Sequence, residues 1–120
     1  MPATILAVSE DQAFATMLKE GLDGLGTYQV FLCYNPDDAR QVAASQAVDL
    51  LIVDIDLEQT RPASLVAEIR APQPQAHVLW MAFMGHDLPE ELKAVDAQGV
   101  LTKPFFIDDL FPQTHIGLGR

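Results

Sequence analysis

Three apolar runs in this chain carry no polar alternation: "TILAV" from Thr4, "LLIV" from Leu50 and "VLWMAF" from Val78. A strand with one wet face alternates, so these runs read as strands covered on both faces. Between them lie stretches with a helical period. In "EDQAFATMLKEGLDGLG" Phe14, Leu18 and Leu22 recur every four residues with Met17 beside them, and in "PASLVAEIR" Leu65, Val66 and Ile69 form one apolar face. Asn35 ahead of Pro36, Asp37 and Asp38 is a helix start, which predicts a second helix over Pro36–Ser45. In "LPEELKAVDA" a proline and two glutamates share a first turn, predicting a fourth helix from Leu88 to Ala97, and "FFIDDLF" predicts a short closing helix. "YQVFLCY" from Tyr28 and "GVLTK" from Gly99 supply two further strands. Gln29 in the one and the brevity of the other suit sheet edges.

Parallel strands need crossovers, and right-handed crossovers set helices on both faces once the winding reverses. The alternation therefore predicts an α/β fold, a doubly wound five-stranded parallel sheet flanked by helices, with all 120 residues in one domain. In such sheets the site lies beyond the carboxyl ends of the strands, where strand order reverses.

The charge narrows the partners. Seventeen acidic residues against seven basic ones leave a formal charge of −10, which disfavours nucleic acid and anionic membranes and favours proteins or cations. Cys33 is the only cysteine, so no internal disulfide can form, in keeping with a reducing compartment. The opening residues lack the basic start of a signal peptide and no run approaches membrane-spanning length, so a cytoplasmic location is expected.

The strand ends carry the chemistry. Ser9, Glu10 and Asp11 follow the first strand, Asp54 and Asp56 the third, Ala82 stands at the end of the fourth, and Lys103 with Pro104 closes the fifth. Acids from two strands and a lysine from a third suit a magnesium ion and a phosphoryl group. Magnesium takes one or two carboxylates and keeps several waters, and lysine supplies a point charge for phosphate oxygens. A carboxylate can then attack an activated phosphoryl group. Four apolar residues deliver Asp54 to the rim, which favours a site over a surface acid. Asp56 fits solvent or loop structure better. Glu10 and Asp11 suit a helix start as well as a metal, and Ser9 reads first as a helix cap. His77, His86 and His115 are dispersed without metal-ligand spacing. Trp80 and Met81 belong in the core, whereas Phe83 and Met84 overrun the strand and are candidates for an exposed apolar patch. "GLDGLG", residues 21–26, closes a helix instead of following a strand and so fails as a dinucleotide loop.

On "ILAVSED", "VDLLIVDIDL" and "VLTKPF" the chain resembles the receiver domain of two-component response regulators, along essentially its whole length. The resemblance implies a flavodoxin-like sheet of order 2-1-3-4-5. It implies a signalling domain rather than an enzyme, with Asp54 as phosphoryl acceptor and Lys103 as phosphate contact. Magnesium would be held by Glu10, Asp54 and the backbone carbonyl of Asp56, and a cis bond would precede Pro104. The partner so implied is a histidine kinase or phosphotransfer protein, with a homodimer as a further expectation.

Several positions depart from that pattern. Ser9 replaces an aspartate, which implies weak magnesium binding or its loss. Ala82 replaces a hydroxyl residue that bonds the phosphoryl group, a contact of roughly 1.5–3 kcal/mol. Val100 replaces an aromatic residue, and Pro62 stands near where a glycine is common. Ser9, Ala82 and Val100 raise an alternative: a phosphorylation-independent pseudo-receiver acting as an interaction or dimerisation module. "DID" is also similar to the Asp-x-Asp motif of haloacid dehalogenase phosphatases. That motif lies on a first strand ahead of a threonine, unlike the third-strand setting here. Pro112 should cut short the last helix, and the glycine-containing tail is suited to begin a linker into a further domain.

Overall fold

The computed structural model describes residues 3–24, 28–83, 85 and 87–103, Lys103 by its backbone. The elements run β1 (Ala3–Val8), α1 (Gln12–Gly24), β2 (Tyr28–Cys33), α2 (Pro36–Ser45), β3 (Leu50–Asp54), α3 (Pro62–Arg70), β4 (His77–Phe83), α4 (Glu90–Lys93) and β5 (Gly99–Lys103). All strand pairs are parallel, in the order β2-β1-β3-β4-β5. The unbroken apolar runs are the three inner strands, and β2 and β5 are the edges. Every residue of β3 is buried.

Side-chain alternation divides the core into two layers. Ile5, Leu50, Ile52, Leu79 and Met81 pack with Leu18 and Leu22 of α1, while Leu6, Leu51, Val53, Val78 and Trp80 pack under α2, α3 and Leu92 of α4. Burial of these side chains contributes about 1.5–3 kcal/mol each. Met17 is a correction to the helical face read from the sequence: it is 47% exposed, and Ala15 takes the inward position instead. Positions 15, 18 and 22 follow the helical period more closely than 17 does.

Asn35 caps α2 as its sequence position predicts, its Oδ1 accepting from the Asp38 N–H at 2.8 Å. Helix α3 begins at Pro62, whose fixed φ suits a first helical residue and whose ring is buried. The fourth helix is shorter than the expected Leu88–Ala97. Pro89 brings no side-chain cap, and beyond Lys93 the backbone is claimed by neighbours. The Asp96 carbonyl accepts from Arg70 Nη1 at 2.8 Å, and Gln98 pairs with Val78 through both its backbone N–H (2.8 Å) and its side-chain Oε1 (2.8 Å). These bonds draw residues 94–98 out toward β5. The closing helix, Pro104 and Pro112, the tail, Met84, His86 and His115 lie outside the described residues.

Cys33, at the carboxyl end of β2, is buried, and desolvation together with the Asp38 charge pushes its thiol up to about 11. It therefore acts as a small neutral core group. Among the described residues no helix is long and apolar enough to cross a membrane.

Candidate functional site

Strand order reverses between β1 and β3, so the carboxyl ends of these two strands flank the crevice where a site is expected. Ser9 extends β1 by one rung, its N–H donating to the Cys33 carbonyl at 3.1 Å. That rung aims the hydroxyl across the crevice. Ser9 Oγ donates to Asp54 Oδ2 at 2.8 Å, and both residues are nearly sealed, at 1% and 2% exposure. An ionised carboxylate so buried is costly unless hydrogen-bonded. Its other oxygen is served by the loop that follows, the Asp56 N–H donating to Oδ1 at 3.0 Å in an Asx-type turn. Asp56 itself is exposed.

Ser9 is not the helix cap, which corrects the sequence reading. Asp11 fills that role, its Oδ1 accepting from the N–H groups of Ala13 (3.1 Å) and Phe14 (3.3 Å). Two residues nearer β1, the serine hydroxyl accepts instead from the Asp11 N–H at 3.2 Å. One polar chain thus joins the start of α1 to the end of β3.

Glu10 takes a different direction. Its Oε1 accepts from the Glu58 N–H at 2.6 Å and its Oε2 from the Gln59 N–H at 3.2 Å, so both oxygens of this half-buried carboxylate are spent on the loop between β3 and α3. Leu57, 8% exposed, pins the same loop to the core. These residues do not fit the magnesium site expected from the sequence. One expected ligand is clamped to backbone amides, and the position of a second acid holds a hydroxyl that itself donates to Asp54.

The remaining rim positions come from β4 and β5. Ala82 is buried and offers no hydroxyl. Phe83 is half-buried and meets Phe14 of α1 edge-to-face, with centroids 5.4 Å apart, so it is a packing residue and not an exposed patch. Lys103 pairs with Phe83 in register, which brings its backbone to the same rim. Val100 lies beside Trp80, the large aromatic group of that layer. Trp80 is 1% exposed and its indole N–H has no hydrogen-bond partner among the described residues.

Sequence reasoning missed two positioning residues. Gln73 is buried at a turn, its Oε1 accepting from the Val48 N–H at 2.7 Å and its Nε2 donating to the carbonyls of Ala43 (2.9 Å) and Gln46 (3.1 Å). Asp49 clamps the entry ends of the strands, accepting from the Thr4 N–H through Oδ2 at 2.7 Å. Neither had a local pattern to announce it.

Comparison with known proteins agrees with this fold. The model of the response regulator receiver domain matches residues 5–114. No individual curated protein matches the chain. Among solved structures, the chemotaxis response regulator CheY4 of Vibrio cholerae is 24% identical with a TM-score of 0.83, covering 96% of this chain and 98% of its own. A CheY-like receiver domain protein from Methanospirillum hungatei is 21% identical with a TM-score of 0.84, covering 99% and 95%. A response regulator from Burkholderia pseudomallei, solved with a phosphorylated aspartic acid, a calcium ion and citrate, is 27% identical with a TM-score of 0.76, covering 91% of this chain and 64% of its own. By the family match, and by a sheet of the same order, this chain belongs to the receiver domains of response regulators.

Proposed function

We propose that the domain receives a phosphoryl group on Asp54 in phosphorelay signalling. Receiver domains of this family are signal-transduction modules that work with histidine kinases or phosphotransfer proteins, and they typically bind magnesium at the phosphorylation site. The observation that carries the reading is the setting of Asp54. It is a buried carboxylate at the carboxyl end of a central strand, beside the strand-order reversal, with hydrogen bonds from Ser9 and Asp56 that orient it. In the reaction a carboxylate oxygen forms a bond to phosphorus while the bond to the donor's nitrogen or oxygen breaks, and the leaving group keeps the electron pair. Ser9 Oγ and the Asp56 N–H hold the carboxylate during attack, and Lys103 is assigned to the phosphate oxygens. The chain acts as a single domain in this reading. No step is assigned to magnesium, because the acid set does not fit it.

A second reading rests on a specific observation as well. Ala82 cannot bond a phosphoryl group, and Val100 is partnered by a buried Trp80, so the β4–β5 pair lacks the hydroxyl and the aromatic residue that the resemblance ties to switching. A module of this kind would signal through a standing surface, as an interaction or dimerisation domain. Intact mass after incubation with acetyl phosphate, with Asp54→Asn as control, separates the two. A phosphoryl adduct absent from the control is expected on the first reading. Its absence at every donor concentration would favour the second, and sedimentation would then test for a dimer.

A further inference from the structure

We infer that Glu10 is a positioning residue that latches the loop between β3 and α3, and that the Asp54 pocket is ordered without a divalent metal. The inference rests on the reading of Asp54 as the centre of the site, but on different bonds. Glu58 and Gln59 are consecutive residues whose N–H groups converge on one carboxylate, at 2.6 and 3.2 Å. Converging backbone N–H groups form an anion-binding concavity, and here the chain's own side chain fills it. Glu10 lies next to Ser9 at the end of β1, so the latch spans from β1 to the loop leaving β3 and closes over the same crevice that Ser9 bridges to Asp54.

The two bonds leave each Glu10 oxygen a second lone pair, but they aim the carboxylate at the loop amides. A cation between Glu10 and Asp54 would compete with the two amides for Glu10 and with the Ser9 hydroxyl for Asp54 Oδ2. Ser9 supplies no second charge to reward that exchange. Magnesium dehydrates reluctantly and demands near-ideal geometry, which makes the exchange unfavourable. The serine and the latch are thus complementary. The hydroxyl serves the buried carboxylate, and the glutamate serves the loop.

Amide hydrogen exchange at Glu58 and Gln59 tests this directly, in the full chain with and without magnesium. In the wild type the two rates should be the same in either condition. Glu10→Ala should raise both by roughly tenfold, equivalent to about 1.4 kcal/mol of local opening, with Ile52 and Val53 unchanged as a check on the fold. Glu10→Gln keeps one good acceptor and should fall between. It also carries the comparison if the alanine variant does not fold. Unchanged exchange in both variants would overturn the latch. A saturable magnesium response at Asp54, Glu58 and Gln59 that Glu10→Ala abolishes would overturn the metal-free pocket. Neither measurement involves a phosphodonor, so a failure of Asp54 phosphorylation would be seen separately.

Discussion

At the scale of single residues, Ser9 explains how a carboxylate survives almost complete burial. Its hydroxyl spans 2.8 Å to Asp54 Oδ2 inside the crevice, where water has little access to replace it. A hydrogen bond to a charged group is worth about 1.5–3 kcal/mol, so Ser9→Ala should lower unfolding stability by about that amount, read as a shift in the urea midpoint at constant slope. Glu10→Ala should cost less in the same assay, because its bonds lie at the loop surface. Equal costs would mean that burial does not set the strength of the Ser9 contact. The sequence marked Asp54 as special because four apolar residues lead into it. It could not assign Ser9, because a serine before a helix serves equally as cap or as partner to a distant acid. What separated the roles was a neighbour 45 residues away.

At the scale of elements, the helices that agree with their sequence signals are those whose ends are marked. Asn35 and Pro36 open α2, Pro62 opens α3, and both helices run to the predicted ends. Helix α4 carries the same proline and acids, yet it ends at Lys93 because Arg70 bonds the Asp96 carbonyl and Val78 pairs with the backbone and side chain of Gln98 beyond it. Those competitors lie 26 and 20 residues away and leave no mark in the local pattern. Gln73 likewise ties the end of α2 to the entry of β3 from a turn with no local signal. Gln73→Ala would leave the Val48 N–H and two carbonyls unsatisfied, a loss of about 1–3 kcal/mol that chemical denaturation should register. Gln73→Glu should not rescue it, since a carboxylate would face the Ala43 and Gln46 carbonyls that the amide group now serves. A rescue by glutamate would show that only the bond to Val48 matters.

At the scale of the whole molecule, a formal charge of −10 on 120 residues sets how the domain responds to salt. Raising ionic strength from about 0.01 M to about 0.15 M shortens the screening length from about 30 Å to about 8 Å. Self-repulsion should therefore weaken and the thermal midpoint should rise. A falling midpoint would mean that surface pairs such as Lys19–Asp23, Arg40–Glu68 and Lys93–Glu90 outweigh the net charge. Hydrogen bonding to Glu68 raises the pKa of the Arg40 guanidinium, a cation that is charged in any case. The fold itself was open to reading because it depends on repetition. Unbroken apolar runs separated by helical periods permit few arrangements, and burial on both faces forces a parallel sheet with helices on each side. The residue types at the rim were legible for the same reason, since strand ends can be counted along the chain. Which of them meet was settled only by tertiary structure. Ser9 turns to Asp54, Glu10 to the loop amides and Gln98 to β4 through hydrogen bonds whose partners are far apart in sequence, and no local preference encodes a bond of that kind.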